Sequence, residues 1–342
     1  MAIADITVMG AGVFGLSVAY ACARRGAKVQ VIDPAGVAAG ASGGLVGALA
    51  PHVPEHWNDK KAFQFDSLIM AQDFWADVSA LTGADTGYAR SGRLQPLADE
   101  NAVALARARG ASAKDLWQGL ATWQVEPITD TAWMPPSPSG YVVRDTLSAL
   151  VHPRRATRAL ADAVAALGGS ILRAGTAQGK IVWATGWAGM AEIGGNGVKG
   201  QAALLRFDAA GSPQLFADAL HIIPHLDGTV AIGSTSERDF TDPASTDTAL
   251  DDVIARAIAA FPVLQGAEII ARWAGVRPRA PSRAPVLGHH STRAGEYIAN
   301  GGFKIGFGMA PKVGQVMADL LLEDKDMIPD GFRATPPIFR AR

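Results

Sequence analysis

An apolar run from Ile6 to Met9 gives way at Gly10-Ala11-Gly12-Val13-Phe14-Gly15 to a stretch of small residues, and a second apolar run ends at Asp33. Two short apolar runs around a small-residue segment of helical length predict strand, glycine turn, helix and strand, closed by an acid. Within that helix Gly15, Ala19 and Cys22 recur at spacings of four and three, so they share the face turned toward the sheet. Further along, Phe65, Leu68, Ile69, Trp75 and Ala76 stripe a helix between Lys60 and Leu81, and Ser91 to Leu97 reads as a short strand. Ala156, Leu160, Val164 and Leu167 mark a helix opened by Pro153 and ended by Gly168-Gly169. Lys180 to Ala184 reads as a strand that runs into Thr185-Gly186-Trp187. Gln201 to Phe207, Ala219 to Ile223 and Thr229 to Ile232 predict an antiparallel sheet with a turn at Asp227-Gly228. Leu250, Val253, Ile254, Ala257 and Ile258 define another helix. From Ile269 to Arg277 the chain alternates, which puts Trp273, Gly275 and Arg277 on one face of a strand. A last helix is expected from Pro311 to Leu321, and the Trp-containing segment from Ala98 to Gly140 is expected in a second domain or a lid.

The length of 342 residues favours two domains over one. Apolar residues at 49% and charged ones at 18% are enough for a substantial core under a modestly charged surface. The net charge is −1 with no basic block, which argues against nucleic acid as a partner. No apolar run approaches the ~20 residues of a membrane-spanning helix, and the first strand begins too early to leave room for a cleavable signal, so a cytoplasmic location is expected. Cys22 is the only cysteine, so neither an intrachain disulfide nor a thiolate metal cluster can form. The seven histidines have no carboxylates at ligand spacing, and no metal site is expected.

The first βαβ unit carries the clearest chemistry. Gly10 suits a tight turn, Gly12 a close approach of backbone to a pyrophosphate, and Gly15 close packing of helix on strand, while Val13 and Phe14 open the helix whose N-terminus faces the phosphates. Asp33 stands where an acceptor for ribose hydroxyls is required. These residues suit NAD and FAD equally, and a βαβ unit that binds nothing is the plainer alternative. The small-residue loop from Gly36 to Pro54 offers Ser42, Gly43 and Gly44 as a second contact, or is simply flexible, and Thr185-Gly186 offers a third. His52, just after that loop, is either near the ligand or exposed. Gly275, between Trp273 and Arg277 on that face, leaves space for a planar ring or a small substrate, and Arg277 has a guanidinium able to grip a carboxylate through two parallel hydrogen bonds. Lys304 lies in Asn300 to Pro311, NGGFKIGFGMAP, where Gly301, Gly302, Phe303, Lys304 and Ile305 are expected to lie on a flat ring ahead of a helix N-terminus. Structural or solvated roles remain the alternatives for both cations.

The ordered set of stretches resembles the FAD-dependent amino acid and amine oxidases that include glycine oxidase, D-amino acid oxidase and sarcosine oxidase. The matching stretches are GAGVFGLSVAYACARRGAKVQVID, GASGGLVGALAP, VHPRRATRALADAVAALGG, VWATGWAG, VKGQ, GTVAIGSTSE, WAGVRPRAPSRAPVLG and GGFKIGFGMAP. The resemblance implies an α/β fold in which a Rossmann-like FAD-binding domain, residues 1–58, 141–190 and 270–325, interleaves with an antiparallel-sheet substrate domain, residues 59–140 and 191–269, before a tail at 326–342. It implies carboxylate-binding roles for Arg277 and Lys304, and non-covalent FAD, since no cysteine follows Cys22. Departures are Asp33 in place of a glutamate, a chain shortened between Ile171 and Trp183, and the missing acid in Pro281 to Pro285. The implied activity is oxidation of the C–N bond of a small amino acid or amine by hydride transfer to flavin N5, giving an imine that water hydrolyses. Oxygen or another acceptor would then take the electrons. A dehydrogenase feeding a quinone or carrier and a catalytically silent FAD-binding protein are the alternatives; oligomerisation is left open.

Overall fold

The computed structural model describes residues 3–334. One sheet has six strands in the order Val286–His289, Tyr297–Asn300, Lys180–Trp183, Ile6–Met9, Val29–Ile32 and Ser170–Leu172. Its neighbours run parallel except for the edge pair Val286–His289 and Tyr297–Asn300. Parallel strands of this kind are covered on both faces, which explains why Val8, Val31 and Val182 are wholly buried and why the runs read as continuous rather than alternating. The helix Val13–Arg24 packs against the last helix, Gly306–Glu323, and against Pro153–Ala166. Cys22 faces inward as its spacing implied; burial pushes its thiol up to about 12, so it is inert filler. The segment 173–179, between the Ser170–Leu172 and Lys180–Trp183 strands, carries no strand of its own, as its shortness implied.

The second sheet has eight strands in the order Glu268–Arg279, Asn196–Arg206, Thr229–Gly233, Leu220–Pro224, Gln214–Ala217, Arg93–Pro96, Tyr141–Asp145 and Trp123–Pro127. All its pairings are antiparallel except that of Gln214–Ala217 with Arg93–Pro96. Several expected boundaries move. Tyr141–Asp145 and all but the first two residues of Glu268–Arg279, which the resemblance put with the FAD-binding segments, pair into the eight-stranded sheet, because hydrogen-bond partners rather than sequence neighbours set sheet membership. Helix Asp59–Thr82 instead shares its core with the six-stranded side, where Phe65, Leu68 and Trp75 cluster with Val13 and Val313. Its ends are fixed locally: Asn58 accepts a bond from the Lys61 amide at 3.1 Å, and Gly83 closes the helix in the left-handed conformation at φ 68°.

Residues 98–140 form no lid. Helix Glu100–Leu116 and strand Trp123–Pro127 are built into the sheet edge, with Trp117 buried edge-on to Trp123 at 6.1 Å and the Trp133 indole donating to the Pro213 carbonyl at 2.8 Å. The last helix starts at Gly306, one turn and more before Pro311, which sits inside it. The expected tail is partly core: Phe332 is buried edge-on to Phe63 at 4.9 Å, while residues 335–342 lie outside the described residues. No described helix is long and apolar enough to cross a membrane.

A buried histidine between the two layers gives the fold a pH dependence. His225 is 1% exposed, bonds the Leu45 carbonyl through Nε2 at 3.0 Å and stacks on His152. Burial, then the neighbouring His152, lowers its pKa to about 4. The unfolded chain takes up a proton near pH 6.5 that the folded chain refuses. Stability from this group is therefore full above pH 6.5 and is lost as pH falls toward 4, by about 3 kcal/mol in all. Thermal unfolding across that window should show a flatter decline for His225→Gln than for the natural chain; an unchanged slope would place the acid sensitivity elsewhere.

Candidate functional site

A cleft of about 820 Å³ runs between the two sheets, toward the upper end of the ~300–1,000 Å³ usual for ligand sites. Met9, Ile32, Ala184 and Asn300 reach it from the C-terminal ends of parallel strands or the residue just beyond, the edge where open α/β sheets bind ligands. Ala202, Phe216, His221, Trp273 and Arg277 reach it from the antiparallel sheet, which roofs the cleft.

At one end stands the glycine turn. Gly10 has φ 121°, and a Cβ there would lie 2.3 Å from the Ala184 carbonyl oxygen. The helix behind it has Gly12 as its N-cap, with no side-chain cap and no acid in its first turn, so its positive end carries no carboxylate of its own. The Ser42 hydroxyl accepts from the Val13 amide at 2.9 Å, which stitches the small-residue loop to the helix start. Asp33 turns one carboxylate oxygen to the Ala11 amide at 2.8 Å and the other to the amides of Ala35 and Gly36 at 3.0 and 3.2 Å. A carboxylate has about four acceptor positions, so one of these remains for a hydroxyl. If it takes a ribose hydroxyl, Asp33→Ala weakens FAD binding by ~1–3 kcal/mol, the scale of a lost hydrogen bond to a charged group, measured by equilibrium titration of apoprotein. Unchanged affinity would move the ribose contact elsewhere.

Of the residues the sequence singled out, Gly10, Gly12, Val13, Phe14, Asp33, Ser42, Gly44, Thr185, Gly186, Gly302, Phe303, Lys304 and Arg277 line this cleft. Gly15, Gly43, Gly275, Gly301 and Ile305 do not. Gly15 faces the Gly10 carbonyl, where a Cβ would come within 2.1 Å, in keeping with its packing role. Gly43 is turned inward, its carbonyl accepting from Arg154 Nε at 2.8 Å. The Gly301 amide is held by the Asn300 side chain at 2.8 Å, and the same side chain donates to the Gly186 carbonyl at 3.0 Å. The space expected over Gly275 is filled by the Trp273 indole, which a Cβ would meet at 2.4 Å. His52 binds Gln64 through both its amide and its ring and lies outside the lining.

Arg277 and Lys304 are the only cationic side chains in the lining, and Asp33 is its only carboxylate, among the described residues. Burial lowers Arg277 to about 10, with Glu237 pulling the other way, so it stays charged at neutral pH. Its Nη2 donates to the carbonyls of Thr235 at 2.6 Å and Lys199 at 3.1 Å, and its Nη1 to the Ser234 hydroxyl at 2.9 Å. Nε is buried without a partner. Three of the five guanidinium hydrogens are thus held by the protein, leaving the buried one on Nε and one on Nη1, so a grip through Nη1 and Nη2 together is already spent on the protein. Lys304 is solvent-exposed at the rim of the lining; partial desolvation, then Arg277, lowers its ammonium pKa.

Two contributors escaped the sequence reading. Gly200 lies under Arg277, and a Cβ there would sit 2.3 Å from Nη2. Only the cross-strand register, which pairs Gly200 with Gly275 and Val198 with Arg277, brings it there. His221 lines the cleft beside Phe216, 4.8 Å between ring centroids, with its Nδ1 buried and unpartnered. Burial, then Arg93 and Lys304, drops its pKa to about 3, so the ring is neutral. Its one signal was a polar residue at the start of an apolar strand.

The cleft fits a dinucleotide: a helix start with no carboxylate in its first turn, a bare Gly10 and an acceptor acid beside it, with two cations in the same lining. Comparison with known proteins agrees. The chain matches the DAO family, described as FAD dependent oxidoreductase, over residues 5–320. It is 28% identical to a glycine oxidase of Pseudomonas putida, covering 93% of this chain and 94% of that protein. It is 27% identical to the bifunctional protein ThiO/ThiG of Trichormus variabilis, over 94% of this chain, and spans about half (53%) of that longer relative. The crystal structure of glycine oxidase from Geobacillus kaustophilus superposes with a TM-score of 0.83 at 21% identity, covering 98% of this chain and 99% of that one, which shows the shared fold.

Proposed function

Because the chain belongs to the DAO family of FAD-dependent oxidoreductases, we propose that it oxidises the C–N bond of a small amino acid or carboxylate-bearing amine, giving an imine that water hydrolyses. The observation that carries this reading is the pair of cations, Arg277 and Lys304, in the lining of the cleft that also holds Asp33. FAD, held non-covalently along Gly10, Gly12, Asp33 and Ser42, supplies the two-electron acceptor when bound. The chain supplies position and charge. One substrate carboxylate oxygen takes the remaining Nη1 hydrogen of Arg277, and the Lys304 ammonium provides the second contact. His221 stands neutral in the roof of the cleft beside Phe216. With a pKa of about 3 it is too weak a base to take a proton from the substrate amine. Phe216 and Trp273 close the roof and exclude water.

The test is an anaerobic screen of glycine, sarcosine, proline and D-alanine against the purified yellow protein, followed by air. Bleaching by at least one of them, and peroxide on admitting air, is the expected result. Bleaching that reverses only with an added quinone or dye would make the protein a dehydrogenase. No bleaching by any amine or amino acid would leave a silent FAD-binding protein.

A further inference from the structure

The groups that hold Arg277 on its protein side are themselves held by a charged cluster on the opposite face of the antiparallel sheet, outside the cleft. Gln201 is fully buried there; its side-chain amide donates to Glu237 Oε1 at 3.1 Å and to Asp247 Oδ1 at 2.8 Å, and its carbonyl oxygen accepts from the Asp247 amide at 2.9 Å. The Thr235 hydroxyl accepts from the Gln201 amide at 2.8 Å and donates to Glu237 Oε1. Lys199, 3% exposed, places its ammonium 3.8 Å from Glu237 and 3.7 Å from Asp247. Backbone bonds between Lys199 and Glu237, and from Thr235 to Gln201, complete the ladder.

Two of the three acceptors that grip the guanidinium, the carbonyls of Thr235 and Lys199, belong to this ladder, and the third, Ser234, is the next residue. The segment 234–237 is not part of a named strand, so its geometry rests on these few bonds. Glu237 is their common node, joined to the Thr235 hydroxyl, the Gln201 amide and the Lys199 ammonium. Resting on the proposed reading of Arg277, we infer that Glu237 is a positioning residue for substrate-carboxylate binding: without touching the cleft, it fixes the Thr235 carbonyl and Ser234 hydroxyl that aim the guanidinium.

A neutral node leaves the hydrogen-bond acceptor in place and loses the ion pair, whereas a truncated one releases the Thr235 hydroxyl and Gln201 together. Glu237→Ala should therefore act on Arg277, and Glu237→Gln should restore part of its effect. Glycolate, a carboxylate matching glycine with hydroxyl in place of amine, serves as the probe, titrated against the flavin absorbance of the FAD-loaded enzyme. We expect Glu237→Ala to weaken glycolate roughly tenfold, the scale of one lost charged hydrogen bond, Glu237→Gln to weaken it less, and Glu237→Ala to add little once Arg277 is already alanine. If the alanine variant does not retain FAD, the glutamine variant with and without Arg277→Ala supplies the same cycle. Weakening by Arg277→Ala but not by Glu237→Ala overturns the positioning role and leaves the proposed function standing. Equal weakening by Glu237→Ala in both backgrounds makes Glu237 merely structural. No weakening by Arg277→Ala itself removes the reading of Arg277, and this inference with it.

Discussion

Arg277→Ala is expected to lower kcat/KM for sarcosine by ~2–5 kcal/mol in transition-state binding, roughly thirty-fold to several-thousand-fold, while turnover of dimethylamine falls far less. The two amines differ chiefly by the carboxylate, so the difference isolates the anchor. The size of the effect has two sources. The substrate loses a charged hydrogen bond in a closed cleft, and Lys199, Thr235 and Ser234 lose the donor that satisfied them. Arg277→Lys keeps a charge but cannot reach three acceptors while also facing the cleft, so it should recover only part of the loss. Equal losses for the two amines would mean that Arg277 serves the fold, and the carboxylate-bearing substrate class would fall.

The second large effect is expected from Gly10→Ala. At φ 121° an alanine is strained, and its Cβ would meet the Ala184 carbonyl oxygen at 2.3 Å and the carbonyl carbon at 2.8 Å. Both are backbone atoms of the residue just beyond the neighbouring parallel strand, held by the Ala184 amide bond to the Met9 carbonyl at 2.8 Å, so they cannot swing aside as a side chain would. Strain and overpacking together should cost about 2–5 kcal/mol of stability. The displaced turn should also abolish FAD retention through gel filtration, because the helix start and Asp33 both register on this turn. A variant that keeps bound FAD and its unfolding temperature would show that the turn has more slack than this geometry allows.

Much of this architecture was legible in the sequence because its signals are local. A strand, a glycine turn, a helix of small residues and a closing acid lie within the first 33 residues, and the structure assembles them as the spacing required. Asp33 reaches the Ala11 amide because the two strands that carry the turn and the acid are neighbours in one sheet. Other readings failed where a local pattern had two long-range outcomes. Gly275 looked like room for a flat ring, but the alternation that put Trp273 on the same face also let its indole fold back over the glycine. Pro311 looked like a helix start, yet the backbone was already helical from Gly306, which brings that helix end and Phe307 to the cleft. The strand expected from Ile269 to Arg277 is there but longer, Glu268–Arg279, and nothing within it names its partner.

By itself, then, the sequence determined the βαβ unit, the kind of ligand it takes, the absence of a disulfide and the two cations worth watching, because each depends on residues close together in the chain or on composition. Only the tertiary structure decided what those cations can do. Arg277 is aimed by carbonyls and a hydroxyl from residues 199, 234 and 235, lies over Gly200, and shares its cleft with His221. Those contacts depend on strand register, and a register is a relation between distant segments that no single stretch encodes.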